Sequence, residues 1–85
     1  MTRFRFEVLI SLKPDLADPQ GKAVESSLPA LGWSNVSRVR IGKHVHLEID
    51  ADDEAAARTQ VDEIAHRLLS NPVIEDVRIA EVERV

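Results

Sequence analysis

Apolar and polar residues alternate along the first stretch of the chain, from about Arg3 to Leu12. Every second residue in this stretch is apolar, and these residues are Phe4, Phe6, Val8, Ile10 and Leu12. A period of two is typical of a β-strand with one buried and one exposed face. The pattern therefore predicts a first strand, with Leu9 as an apolar residue on its exposed face.

A second alternating pattern covers residues 35–50 and is interrupted by Gly42. Its apolar positions are Val39, Ile41, Val45, Leu47 and Ile49. A connection of three residues, 42–44, would place Ile41 opposite Val45 on one face. It would also place Arg38 opposite Glu48 on the other face, as a pair of opposite charges. We therefore expect a bulged hairpin in the middle of the sheet, with Gly42 adopting the backbone angles of the turn.

Helical spacing replaces the alternation after Asp18-Pro19. Asp18 is a preferred N-cap residue, and Pro19 suits the first helical position, because its missing N–H would have no helical partner there. The apolar residues at helical spacing are Val24, Leu28 and Leu31. Pro29 would cost about 3 kcal/mol inside an unbroken helix. The first helix is therefore predicted to be kinked, or to end, near Leu28.

The clearest helical pattern follows the acidic residues at positions 50–54, which suit a capped helix start. Its apolar residues lie at i, i+4, i+7, i+8 and i+11, and they are Ala57, Val61, Ile64, Ala65 and Leu68. This stripe predicts an amphipathic second helix. Asn71-Pro72 should end it, because proline disfavours helical geometry at the preceding residue.

The last predicted strand runs from about Val73 to Val85. Its apolar residues change parity after Ile79, so we expect either a bulge or cover on both faces. The order of elements is then β-α-β-β-α-β within one domain, residues 1–85. A ferredoxin-like two-layer sandwich of the α+β class would bury the apolar stripes, with both helices on one face of a four-stranded antiparallel sheet.

Several apolar residues have no place in the core of such a sandwich. They are Leu9, Trp33, Ile74, Val82 and Val85. A patch of exposed apolar residues marks a contact surface. We therefore expect a homo-oligomer, a dimer or a tetramer, whose interface uses the open face of the sheet and the last strand.

Charge and composition argue against several classes of function. The chain has 15 acidic and 11 basic residues and a net charge of −4, whereas nucleic-acid-binding domains usually carry a basic excess. The absence of cysteine excludes disulfides, thiolate metal sites and a cysteine nucleophile. No long apolar run precedes the first strand, so we expect no signal peptide, no membrane anchor and a cytoplasmic location.

Two histidines are the main candidates for metal binding. His44 and His46 lie two residues apart on a predicted strand and share a face, a spacing that can hold a metal ion. Glu48 is the nearest third ligand along the chain, and we expect the two histidines to be solvated and no metal to bind. No serine or histidine lies in a recognisable nucleophile elbow or catalytic triad. The three glycines are too scattered to form a phosphate-binding loop.

The cations Arg38, Arg40 and Lys43 have two interpretations. They could bind an anion or an acidic partner surface, or they could belong to a solvated face that pairs with nearby glutamates. Lys13 and residues 18–21 at the strand-to-helix junction form either a loop with an N-cap or a docking corner, because a helix start presents free N–H groups. The residues alone thus predict a small module without a self-sufficient active site.

Three segments of the chain together resemble the PurS-type small subunit of phosphoribosylformylglycinamidine (FGAM) synthase. The first comprises Ser-Leu-Lys at 11–13, Leu-Ala-Asp-Pro-Gln-Gly at 16–21 and Ala-Val at 23–24. The second is Val-Arg-Ile-Gly-Lys at 39–43, and the third is Leu-Leu-Ser-Asn-Pro-Val-Ile-Glu-Asp at 68–76. The order and spacing of the segments and the total length carry the resemblance, which covers essentially the whole chain. The region of Pro29 and Trp33 departs from the pattern.

The resemblance implies a role in the fourth step of de novo purine synthesis. In that family a large subunit uses ATP to activate formylglycinamide ribonucleotide, and a glutaminase subunit releases ammonia from glutamine. The small subunit binds no cofactor of its own; it assembles the complex, and a role in ammonia transfer is proposed for it. The residues carried over as partner contacts are Lys13, Asp18, Gln20, Gly21, Arg40, Gly42, Lys43, Asn71, Glu75 and Asp76. Alternatively, Gly21 and Gly42 are required only for the geometry of the backbone and make no partner contact.

Two other functions remain open at this point. A ligand-sensing regulatory domain of the ACT type shares the βαββαβ order and would bind an amino acid near the first helix, but residues 18–21 match its Asp-x-Pro-Gly-like turn only in part. A small dimeric enzyme would use His44 or His46 as a general base and would require a closed pocket.

Overall fold

The computed structural model describes residues 1–85 and contains three long strands. Strand β1 spans Thr2–Leu12, β2 spans Gly42–Ala51 and β3 spans Glu75–Arg84. They form one antiparallel sheet in the order β2-β1-β3, with β1 in the centre. The alternation along β1 has the predicted effect, because Phe4, Phe6, Val8 and Ile10 are all buried on one face. The predicted α+β class, with an antiparallel sheet and two helices, is confirmed.

Helix α1, Pro19–Ser27, begins and ends as its sequence predicts. Asp18 is its N-cap, and Pro19 occupies the first turn. The helix ends two residues before Pro29, which begins a short 3₁₀ turn over Pro29–Leu31. Gly32 then reverses the chain with a positive φ of 105°, a backbone angle that glycine adopts at little cost.

Helix α2, Glu54–Ile64, packs on the sheet through Ala57 and Val61. It continues into a π-helical turn over Ala65–Leu69, which ends just before Asn71-Pro72. The wider turn shifts the buried stripe by one position, because a π turn contains an additional residue. Leu69 therefore packs against the core, while Leu68 is 79% exposed. The predicted place of Leu68 in the buried stripe is wrong for this reason.

The predicted hairpin over residues 35–50 does not form. Only its second half is a strand, and β2 pairs with β1, so that Val45 lies opposite Val8 and Leu47 opposite Phe6. The preceding segment, residues 33–41, forms no strand, and Arg38 has a left-handed φ of 58°. Residues 33–41 thus leave the outer edge of β2 unpaired. The predicted pair of Arg38 and Glu48 is absent, and Glu48 accepts hydrogen bonds from Arg5 instead.

A β-bulge explains the change of parity in β3. The pairing shifts between Glu7 and Val8, so that Phe6 lies opposite Val82 while Val8 lies opposite Ile79. Both Ile79 and Val82 consequently pack against the core. The prediction that Val82 has no place in the core is wrong, since the additional residue in the bulged strand returns it to the buried face.

The core is small for a chain of this length. It consists of eight buried apolar residues: Phe4, Phe6, Val8, Ile10, Ala51, Ala57, Val61 and Ala65. The radius of gyration is 16.5 Å, against about 12 Å for a compact domain of this size. The only buried residue of α1 is Gly21. No helix is both long and apolar enough to cross a membrane.

Candidate functional site

The loop between β1 and α1 is held in place by the guanidinium group of Arg40. Its Nη1 atom donates to the carbonyl oxygen of Leu16 at 2.8 Å, and Nη2 donates to that of Lys13 at 3.0 Å. Both acceptors belong to the loop, while Arg40 comes from the segment that enters β2. The arginine therefore joins two parts of the chain that are distant in sequence.

The carboxylate of Asp18 makes a second link between the same two parts. Its Oδ1 atom accepts the N–H of Gly21 at 3.0 Å, which caps α1, and Oδ2 accepts the N–H of Ile41 at 2.7 Å. These backbone donors, with a smaller effect from the nearby Arg40 charge, hold the pKa of Asp18 below its ordinary value, although desolvation acts in the opposite direction. Asp18 is thus an anchored carboxylate, and both of its oxygens are already engaged.

Two glycines at this junction allow close backbone approach. A Cβ atom on Gly21 would overlap the carbonyl oxygen of Val39. A Cβ atom on Gly42 would lie 2.7 Å from the carbonyl oxygen of Ile10 on the paired strand. Real Cβ contacts are essentially never this short, so both positions require glycine. This geometry supports the backbone role that the sequence left as an alternative for them.

The turn before β3 closes the other side of the junction. The N–H of Asn71 donates to Oε1 of Glu75 at 2.7 Å, and Oε2 of Glu75 lies 3.6 Å from Nζ of Lys43. Lys43 also donates to the carbonyl oxygen of Leu69 at 3.1 Å. The Nζ atom of Lys13 contacts Oδ1 of Asp76 at 3.0 Å. These contacts join the ends of all three strands.

The structure brings the ten predicted contact residues together at one end of the sheet. We call this group the sheet-end cluster, and it consists of Lys13, Asp18, Gln20, Gly21, Arg40, Gly42, Lys43, Asn71, Glu75 and Asp76. Gln20 is exposed and lines a cleft with Lys43 and Glu75. A larger open cleft of about 630 Å³ lies beside Asp18 and Arg40. The cluster presents exposed charges of both signs, which suit contact with a protein surface.

The five predicted oligomer residues do not form one patch. Leu9 lies on the open face of the sheet, and Trp33 is 55% exposed after the first helix. At one end of β1 the carbonyl oxygen of Ile74 accepts the backbone N–H of Lys13. At the other end the backbone N–H of Val85 donates to the carbonyl oxygen of Arg3. Val82 packs against the core. No single face of the monomer therefore presents all five residues to a partner.

Sequence reasoning missed two arrangements. The Oε1 atom of Glu25 accepts the N–H of Val39 at 3.1 Å, which helps to keep residues 38–41 out of the sheet. On the open face, the carboxylate of Glu7 lies within 3.7 Å of a ring nitrogen of both His44 and His46. The alternation in β1 and β2 places all three side chains on that face, but only the correct pairing of these strands would have brought them together.

The model of one protein family, described as "PurS: Phosphoribosylformylglycinamidine (FGAM) synthase", matches residues 5–83. A relative from Bacillus subtilis (strain 168), phosphoribosylformylglycinamidine synthase subunit PurS, is 42% identical over 82 residues, which cover 96% of this chain and 95% of the relative.

Solved structures of similar chains share the fold. A structure of PurS from Methanocaldococcus jannaschii, described as one of the subunits of formylglycinamide ribonucleotide amidotransferase in the purine biosynthetic pathway, superposes with a TM-score of 0.84 at 33% identity. It covers 96% of this chain and 98% of that one. A chain in a structure of PurLQS from Thermotoga maritima gives a TM-score of 0.84 at 30% identity, with full coverage of both chains.

Proposed function

The chain belongs to the PurS family of FGAM synthase subunits, and we propose that it is the small subunit that assembles this enzyme in purine biosynthesis. Its partners are the large subunit, which activates formylglycinamide ribonucleotide with ATP, and the glutaminase subunit, which supplies ammonia. The family match over residues 5–83 carries the proposal. The similar chain in PurLQS of Thermotoga maritima supports an assembly role.

The sheet-end cluster is the proposed contact surface for a partner subunit. Its buried or engaged members, such as Asp18 and Arg40, shape the surface by fixing the loop and the start of β2. Its exposed members, such as Lys13 and Asp76, are available to a partner. A contact surface of this kind needs charges held in defined positions, because ordering long side chains on association costs free energy.

The chemistry of the reaction belongs to the partners in this proposal. ATP, Mg²⁺ and glutamine bind to the large subunit and the glutaminase, and this chain contributes to ammonia transfer by fixing their relative position. In this proposal the complex acts in the cytoplasm. The ligand-sensing alternative is less well supported, since the Asp18 carboxylate near the first helix is already engaged by two backbone donors.

Self-association into a dimer or a tetramer is the second part of the proposal. The core of the monomer is small and its radius of gyration exceeds that of a compact domain by several Å. Large apolar side chains remain exposed, among them Leu31, Trp33, Leu68 and Val73. A second copy of the chain would remove part of this apolar area from water, which stabilises the assembly.

Reconstitution from purified subunits tests the assembly role. FGAM formation is measured with the large subunit and the glutaminase, with and without this chain, using glutamine or ammonia as nitrogen donor. We expect glutamine-dependent activity to require the chain, while ammonia-dependent activity of the large subunit persists without it. The proposal is wrong if the other two subunits co-elute and reach full glutamine-dependent activity alone.

A further inference from the structure

The open face of the sheet carries a cluster of three potential metal ligands, Glu7 on β1 and His44 and His46 on β2. Oε2 of Glu7 lies 3.7 Å from Nε2 of His44, and Oε1 lies 3.6 Å from Nδ1 of His46. One ligand atom from each residue can be chosen so that all three lie within 4.8 Å of one another. We propose that Glu7, His44 and His46 form a binding site for a divalent transition-metal ion of the zinc class.

The register of the sheet creates this cluster. Glu7 pairs with His46, and Leu9, two residues further along β1, pairs with His44. The two imidazole rings lie side by side with their centroids 4.4 Å apart. The Glu7 side chain is only 29% exposed, and one of its carboxylate oxygens faces each ring. The three donors therefore converge before any ion binds, which lowers the entropy cost of binding.

The donor set matches the chemistry of zinc. Two imidazole nitrogens and one carboxylate oxygen form a known three-ligand set for Zn²⁺, whose fourth position takes water or a further donor. With bonds of about 2.0–2.1 Å, a tetrahedral site separates its ligand atoms by about 3.3 Å. The two short separations, 3.6 and 3.7 Å, involve different oxygens of Glu7, and one ligand atom from each residue lies within 4.8 Å of the others. Rotation of the side chains by up to about 1.5 Å at the ligand atoms would therefore bring the three donors to the separation of a tetrahedral site.

The surrounding charges leave the site free for a cation. Glu48, the third ligand that the sequence indicated, accepts two hydrogen bonds from Arg5 and is engaged there. Arg5 also lies 3.8 Å from Glu83, so its charge is compensated. Glu81 pairs with Glu7 on the opposite side and adds negative charge, while Arg78, opposite Leu9, is the nearest cation along β3.

Calorimetric titration of Zn²⁺ into the metal-stripped full-length protein tests the proposal. We expect one ion per chain. Glu7→Gln and His46→Ala should each weaken binding at least about tenfold, because loss of a direct ligand should cost no less than loss of an outer hydrogen-bond partner. Two control variants remove other groups of the same type, Glu48→Gln and His66→Ala, and should bind as the unchanged protein does.

NMR of the imidazole nitrogens in the unchanged protein locates the ion without relying on any variant. Addition of Zn²⁺ should shift the resonances of His44 and His46 and leave those of His66 in place, although His66 also lies near a carboxylate, that of Asp62. The inference is overturned if Zn²⁺ fails to bind at millimolar concentration, if Glu7→Gln binds it unchanged, or if His66 is the residue that shifts. None of these outcomes bears on the role in assembly of the synthase.

Discussion

The Oδ2 atom of Asp18 accepts the backbone N–H of Ile41 at 2.7 Å, and this contact ties the start of α1 to the segment that enters β2. The same carboxylate caps the helix through the N–H of Gly21. Asp18 is only 8% exposed. One buried acidic side chain thus satisfies backbone donors from two distant parts of the chain, and it does so best when it is charged.

Low pH should therefore lower the free energy of unfolding, in part because Asp18 becomes protonated. Its pKa in the folded state is lowered, first by the hydrogen bond from Gly21 and then by that from Ile41. Above the ordinary aspartate value of about 3.9 the carboxylate is charged in both states, and its stabilising effect is fully present. As the pH falls below this value the unfolded chain takes up the proton first. The free energy of unfolding continues to fall with pH and levels off below the lower pKa of the folded state.

The variant Asp18→Asn isolates this contribution. Its amide keeps one acceptor but presents a donor where the second oxygen stood, so one of the two backbone N–H groups loses its partner. Urea unfolding at pH 7, 5 and 3 should show a deficit relative to the unchanged protein that is about equal at pH 7 and pH 5 and smaller at pH 3. A deficit of equal size at all three pH values would contradict the role of the charge.

Gly21 should not tolerate alanine. Replacement of glycine inside a helix normally stabilises by up to about 1 kcal/mol, but the Cβ atom here would overlap the carbonyl oxygen of Val39. Overpacking of this kind costs about 1–3 kcal/mol. We expect Gly21→Ala to lower the free energy of unfolding in urea. The neighbouring exposed position provides the control, since Lys22→Ala adds no contact, and equal stability of the two variants would contradict the close approach.

Local patterns in the sequence predict the elements better than they predict strand pairing. The alternation in β1, the cap at Asp18 and the stop at Pro29 each depend on residues close in the chain, and all three appear as expected. The pairing of β2 with β1 depends on residues far apart in sequence. Residues 39–41 alternate as a strand would, but Glu25 and Asp18 accept the N–H groups of Val39 and Ile41, so these donors have no need of a strand partner.

The candidate site shows the same difference between what local patterns predict and what strand pairing determines. Family resemblance identified ten residues that the structure places at one end of the sheet, although no local pattern relates Lys13 to Asp76. The group of Glu7, His44 and His46 depends on the register between β1 and β2. The sequence offered only Glu48 as a third ligand, because it lies closest along the chain, and the expectation was that no metal binds. The bulge that returns Val82 to the core depends on pairing in the same way.

Arg40 should matter for the loop before α1, while its neighbour Arg38 should not. Arg40 donates to the carbonyl oxygens of Leu16 and Lys13, and loss of these two bonds at an exposed position should cost about 1–2 kcal/mol. Amide hydrogen exchange of residues 13–18 should become faster in Arg40→Ala. Arg38→Ala removes an equal charge without such bonds and should leave exchange unchanged; similar exchange in both variants would show that charge alone is responsible.

The exposed pair of Lys13 and Asp76 allows the surface role of the sheet-end cluster to be separated from its structural role. The double variant Lys13→Glu with Asp76→Lys keeps a pair of opposite charges but reverses the charge pattern seen by a partner. An exposed pair contributes about 0–1 kcal/mol, so the free energy of unfolding should change by less than about 1 kcal/mol. Binding to the large subunit or the glutaminase, measured by interferometry, should weaken about tenfold, which corresponds to about 1.4 kcal/mol.

The matched control reverses the exposed pair of Glu63 and Arg67 on the second helical segment, outside the cluster, and should bind as the unchanged protein does. Equal binding by both double variants would remove Lys13 and Asp76 from the contact surface, because only a partner placed against the cluster can distinguish the two reversals.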